Sequence, residues 1–261
     1  MDALYLSELQ AFLRYTVVPG REPALVYLTG LGLAAAGTYD RCIGDSTLGA
    51  RRAVLVDFLG AGFSDAPEAF SYTLEDHARS VAILLDHLGL RASPIVAYSF
   101  GGAVAVTLAA TRSDLAASLV LAEPNLDPGG GFLSRRIAAQ SEAEFRTRGF
   151  SELVGESIAK GRSGSQAWAI TSGMLQVASA HGLYRSAVGL VKGTRPTMRE
   201  RLLRLSIPRT LIRGEASGPN PHEDELEARG VQLLFVPRAA HGMMWENPDG
   251  FVAAVTAGVG R

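Results

Sequence analysis

The chain has 261 residues, 47% of them hydrophobic and 20% charged, which excludes disorder and supplies a sizeable buried core. Its 25 Lys and Arg balance 26 Asp and Glu to a net charge of −1, so neither nucleic acid nor a membrane is expected as a partner. The single cysteine, Cys42, rules out an intrachain disulfide and a cysteine zinc cluster, and it fits a reducing compartment.

The first residues, MDALYLSELQAF, are acidic and amphipathic. They have neither the basic flank nor the apolar run of a secretory signal, so a cytoplasmic location is expected. Ala24 to Leu28 is a compact strand signal ending in Thr29-Gly30-Leu31-Gly32. Arg52 to Phe58 is a second, ending in Leu59-Gly60-Ala61-Gly62-Phe63-Ser64-Asp65. Thr73 to Leu88 reads as an amphipathic helix, with Ala78, Val81, Leu84, Leu85 and Leu88 at helical spacing and Gly89 as its stop. Ala92 to Thr111 carries no charge, but it breaks at Ser99-Phe100-Gly101-Gly102 and reads as strand, sharp turn and buried helix rather than a membrane span. Ser118 to Ala122 is the next strand. This alternation implies an α/β fold with a mostly parallel sheet and helices on both faces.

The alternation stops between Asn125 and Leu205. Gly-Pro-rich Asp127 to Gly131 opens the segment, and helical patterns follow near Glu142 to Arg148, Leu153 to Lys160 and Gln166 to Leu190. Strands resume at Arg209 to Arg213 and Val231 to Val236, with helices near Glu223 to Arg229 and Gly250 to Ala257. The expected organisation is a core in two parts, 1–124 and 206–261, with a helical cap at 125–205 that is too long for a loop.

Ser99 sits between small residues, Ala97 and Gly101, at a strand-to-helix junction. A tight turn there exposes the hydroxyl at a helix N-terminus and tolerates only small flanking side chains. A serine hydroxyl needs a base. Of the five histidines, His77 and His87 are expected at the surface or boundary of the early helix, His181 on a helix surface and His222 beside an acidic run. His241 alone follows a late strand and precedes a glycine, so it is the expected base.

With these residues in order, the chain resembles the α/β-hydrolase superfamily over essentially its whole length. Leu28-Thr29-Gly30-Leu31-Gly32 resembles the family's oxyanion loop, with Thr29 in place of its usual histidine. Asp57 to Asp65 matches the Asp-x-x-Gly-x-Gly-x-Ser-Asp loop, Ala97 to Gly101 the nucleophile elbow, and Ala240-His241-Gly242 with Glu246-Asn247-Pro248 the histidine loop. The resemblance implies a serine nucleophile, a helical cap and an oxyanion hole from the N–H groups of Leu31 and Phe100. The family commonly carries its acid in a Gly-Glu-x-Asp setting, where this chain reads Gly214-Glu215-Ala216-Ser217. Some branches place the acid one strand earlier, which points to Glu123, with Asp127 and Glu215 as alternatives.

Gly129-Gly130-Gly131 lacks the ending of a phosphate loop, Gly60-x-Gly62 lacks the third glycine of a dinucleotide site, and no cluster has metal-ligand spacing. No cofactor or metal is expected. Trp168, Met174, Leu175, Phe145 and Phe150 either line a pocket or form the cap's own core. The expected function is a serine hydrolase cleaving an ester or related acyl bond in a small or medium apolar molecule. A lyase, C–C hydrolase or cofactor-free enzyme on the same triad, or a slow-turnover receptor, remains the alternative.

Overall fold

The computed structural model describes residues 1–220 and 222–260. Eight strands form one sheet: β1 (Asp2–Leu6), β2 (Ala11–Val18), β3 (Arg21–Leu28), β4 (Arg51–Val56), β5 (Ser93–Tyr98), β6 (Ala116–Ala122), β7 (Arg209–Gly214) and β8 (Gln232–Val236). Their order is β1-β2-β4-β3-β5-β6-β7-β8, antiparallel across β1, β2 and β4 and parallel from β4 to β8. This is the expected mostly parallel sheet covered by helices.

The central strands are apolar on both faces because helices cover both. Val26, Leu28, Ile95, Ala97, Leu119 and Leu121 point into one core, against α2 (Leu74–His87) and α3 (Phe100–Thr111). Leu25, Tyr27, Val96, Tyr98, Val120 and Ile212 point into the other. There they meet α1 (Ala35–Gly44), α11 (Met243–Glu246) and α12 (Pro248–Val259). α2 starts at Thr73, whose hydroxyl accepts the Asp76 N–H, and ends where Gly89 turns left-handed. α3 is buried on every side, which explains the unbroken apolar run after Ser99.

Two features departed from the pattern along the sequence. The amphipathic start, given no element along the sequence, enters the sheet: β1 and β2 form an antiparallel hairpin at its edge, with β2 alternating buried and exposed residues. α1 was not among the expected helices; its regular geometry breaks at Tyr39, whose hydroxyl donates to the Leu28 carbonyl.

Between β6 and β7 the chain is helical: α4 (Phe132–Ala138), α5 (Glu142–Glu144), α6 (Phe150–Arg162), α7 (Gln166–Leu175), α8 (Ala180–Lys192) and α9 (Met198–Arg204). The expected separate helices near Glu142 and Leu153 are joined through a wider π-helical turn at Phe145–Gly149. The expected Gln166–Leu190 helix is two, because Ser179 caps α8 through the Gly182 N–H. Phe145 and Leu175 join Ile137, Leu153, Leu183 and Ala187 in the inserted helices' own core, while Met174 packs into the second core and Trp168 stacks under the Lys160 ammonium. The helix α10 (Glu223–Ala228) links β7 to β8. Among the described residues, no helix is long and apolar enough to cross a membrane.

The Asp57 to Asp65 loop is a structural clamp. Asp57 is buried and accepts the N–H groups of Ala35 (2.8 Å) and Phe63 (3.0 Å), joining the start of α1 to the loop. Burial pushes its carboxyl pKa up, and these two donors act against that. Ser64 and Asp65 accept the N–H groups of Arg14 and Phe12 on β2. Gly62 has φ +55°, and a Cβ there would lie 2.3 Å from an Asp57 carboxylate oxygen. Gly62→Ala is therefore expected to destabilise the fold by about 2 kcal/mol or more, measured as a lowered denaturant midpoint.

Candidate active site

Ser99 lies between β5 and α3 with φ +52° and ψ −116°, a conformation strained for any residue with a Cβ. The small neighbours follow from close approach. A Cβ on Gly101 would lie 2.4 Å from the Thr29 carbonyl oxygen, and one on Gly102 would lie 2.5 Å from Pro124. Ala97 is fully buried between Leu28 of β3 and Leu121 of β6, where its methyl joins the core. The turn is held by the Ser99 N–H on the Ala122 carbonyl at 2.9 Å.

His241 arrives from the loop after β8. Glu246 accepts the Ala240 N–H, and Asn247 donates to the Pro237 carbonyl at 2.8 Å while its side-chain oxygen caps α12. The Glu246-Asn247-Pro248 segment thus braces the loop. Tyr98 packs its ring against the imidazole with centroids 4.9 Å apart. The loop also rests on Gly214, where a Cβ would lie 2.3 Å from the Ala239 carbonyl oxygen.

Glu123 follows β6 directly, at φ +41°. His241 Nδ1 lies 2.6 Å from Glu123 Oε2, and His241 Nε2 lies 3.2 Å from Ser99 Oγ. One imidazole therefore bridges a hydroxyl and a carboxylate that belong to different strand ends. The other Glu123 oxygen accepts the Gly214 N–H at 3.0 Å, and the nearby Ser217 hydroxyl helps to lower the carboxyl's pKa.

The α/β-hydrolase fold family model matches residues 23–150. A 2-succinyl-6-hydroxy-2,4-cyclohexadiene-1-carboxylate synthase of Bacillus subtilis is 28% identical, covering 90% of both chains. A haloalkane dehalogenase of Mycobacterium tuberculosis is 36% identical over 70 residues, which span 27% of this chain and only 24% of the relative. A thermophilic esterase structure from Thermogutta terrifontis superposes with a TM-score of 0.81 at 21% identity, covering 98% of this chain and 97% of that one. At that identity the likeness is one of fold. The chain has the α/β-hydrolase fold.

Within this fold the other sequence-derived residues separate clearly. Asp127 is drawn to Arg199, at 3.2 Å, and braces the exit of the inserted helices rather than meeting His241. Glu215 is exposed on the turn after β7. Leu31 and Phe100 flank the elbow. Among the described residues neither backbone N–H donates to another protein group. Thr29, in place of the family's usual histidine, is buried and pairs its hydroxyl with Thr38 at 2.7 Å.

His87 is exposed, as expected, and His222 is partly exposed beside Asp127 and Glu225. His181 is held between Tyr72 (3.2 Å) and Ser179 (2.9 Å) instead of lying free on a helix surface. His77 corrects the expectation most. It is 1% exposed, because its face of α2 turns toward Phe58, Phe70 and Phe100.

Along the sequence Ser217 marks only the place of a missing acid, and Gly214 carries no signal of a role. Nothing local marks either residue as a partner of Glu123, since both contacts cross from β7 to β6.

Burial at Glu123 raises its pKa, but the His241, Ser217 and Gly214 donors and the nearby imidazole outweigh it, so the carboxyl lies below its ordinary 4.5. A depressed folded-state pKa contributes stability above the unfolded value and loses it as pH falls through the folded one. The thermal stability gap between the native chain and Glu123→Gln should be widest near neutrality and narrow as pH drops below 4.5, as followed by melting curves across pH.

Proposed function

We propose that the protein is a cofactor-independent serine hydrolase that cleaves an ester or related acyl bond in a small or medium-sized apolar molecule. The observation that carries this reading is the single imidazole held 3.2 Å from Ser99 Oγ and 2.6 Å from Glu123 Oε2. In the proposed reaction Ser99 Oγ attacks the acyl carbon while His241 Nε2 takes its proton. Ionised Glu123 holds the Nδ1 proton, fixes the tautomer and stabilises the imidazolium. The Leu31 and Phe100 N–H groups receive the oxyanion, and His241 then returns the proton to the leaving group. Water repeats the sequence on the acyl-enzyme, restoring Ser99.

Residues 125–205 are proposed as the cap of a core formed by 1–124 and 206–261. Their helical content between β6 and β7, and the contact of their apolar cluster with Leu31, support this division. Dehalogenation is not proposed, because Ser99 stands where that branch needs a carboxylate nucleophile.

One observation favours a second reading. The relative that covers 90% of both chains is named a synthase, so the same triad serving a lyase or another reaction without an acyl-enzyme is the alternative. An activated ester separates the two: the hydrolase gives a pre-steady-state burst and a covalent Ser99 adduct, and the lyase gives neither.

A fluorophosphonate probe should label the native chain and leave Ser99→Ala unlabelled but folded. Ester turnover should fall about 10⁶-fold in Ser99→Ala and about 10⁴-fold in Glu123→Gln. Unchanged turnover in Ser99→Ala would overturn the reading.

A further inference from the structure

Tyr98 is the last residue of β5, immediately before Ser99, and it is buried. Three neighbours hold its ring. The His241 imidazole packs on it at 4.9 Å between centroids, tilted by 39°. The Trp245 ring meets it edge-on at 6.3 Å, and the Trp245 indole N–H donates to the Gly37 carbonyl at 3.0 Å, which pins that ring to α1. Gly30 supplies the third contact: a Cβ there would lie 2.9 Å from Tyr98 Cε1 and 3.0 Å from Cδ1. One ring therefore touches both the imidazole and the residue whose carbonyl shares a peptide plane with the Leu31 N–H.

We propose, resting on the hydrolase reading, that Tyr98 is a positioning residue whose ring sets the tilt of the His241 imidazole, seats the Leu31 N–H and stabilises the imidazolium. His241 keeps 54% of its side chain exposed, and its 2.6 Å hydrogen bond to Glu123 fixes a distance but leaves the imidazole free to turn about that axis. A face packed on a buried ring removes that freedom. The peptide unit is planar, so a ring resting on Gly30 also limits where the Leu31 N–H can point.

Charge adds to this. When Nε2 takes the Ser99 proton, the positive charge arises on a ring 4.9 Å from the Tyr98 centroid, inside the range of about 6 Å over which an aromatic face attracts a cation. Burial, with Glu123 and Glu246 nearby, pushes the Tyr98 pKa up, so the phenol stays neutral. The imidazolium exists only as the reaction proceeds, so its stabilisation speeds acylation rather than tightening ester binding. These contacts belong to the ring, so phenylalanine reproduces them and leucine does not.

Burst kinetics with p-nitrophenyl acetate give the acylation rate constant and the ester's dissociation constant, and a fluorophosphonate taken to completion counts the assembled sites. Tyr98→Leu should lower the acylation rate constant per site about 10-fold or more and leave the dissociation constant within about 3-fold. Tyr98→Phe should restore the rate constant to within about 3-fold of the native value. Gly30→Ala approaches the same contact from the other side. The φ of Gly30 lies outside the left-handed region, so a methyl there is opposed by the Tyr98 ring and by Leu33, 3.1 Å away, rather than by its own backbone. It should slow acylation about 10-fold in the native chain and much less in Tyr98→Leu.

Tyr98→Phe as slow as Tyr98→Leu would overturn the proposal. So would equal costs of Gly30→Ala in both backgrounds, or a loss confined to the count of sites, which is what a merely structural ring predicts. Should Tyr98→Leu not fold, Gly30→Ala alone decides, by lowering the rate constant per site or only the count. Native labelling with undiminished acylation in Tyr98→Leu removes this role alone, whereas no labelling of the native chain removes the hydrolase reading and this role with it.

Discussion

The His241 imidazole is the hinge of the whole arrangement, because it must satisfy a hydroxyl and a carboxylate at once. Ser99 follows β5, Glu123 follows β6 and His241 follows β8, so the bridge forms only if these strand ends lie in register. The parallel sheet supplies that register: Tyr98 pairs with Ala122, Ala122 with Ile212, and Gly214 with Val236. A slip of one residue would turn each side chain to the opposite face. The carboxylate in turn is ionised because its donors outweigh the cost of burying it, which ties the electrostatics to the same register.

Close backbone approach is the second constraint. Gly101 against Thr29 and Gly214 against Ala239 bring the Ser99 turn to the loop after β3 and the His241 loop to the end of β7. Pro124, immediately after Glu123, packs on Gly102 and ties the carboxylate-bearing turn to α3, the helix that follows Ser99. These contacts remove the room in which the three side chains would otherwise wander. Pre-set geometry of this kind is what catalysis by positioning requires.

The inserted helices are docked through comparable contacts. Gly182 of α8 approaches Gly60 closely, with Tyr72 packed over both, and the Ser179 N–H donates to the Gly60 carbonyl at 2.9 Å. Arg185 joins Glu142 of the insertion to Glu68 of the core, each at 3.0 Å. His241 nonetheless keeps 54% of its side chain exposed, so the insertion shapes one side of the site and leaves the other open to solvent.

The sequence by itself determined the α/β alternation, the long helical interruption, the elbow around Ser99 and the placement of His241 and Glu123 after strands. Each is written in local signals: apolar period, turn residues, and a motif confined to a few neighbouring positions. The edge hairpin and α1 were less legible, since one alternates weakly at a sheet edge and the other is a short helix with no side-chain cap at its start. The tertiary structure alone decided that Glu123 rather than Asp127 or Glu215 meets the imidazole, that the Gly214 N–H holds that carboxylate, and that His77 is buried among Phe58, Phe70 and Phe100. Those outcomes depend on contacts between segments far apart in the chain. A residue's own neighbours carry no record of which distant side chain will lie across the sheet from it.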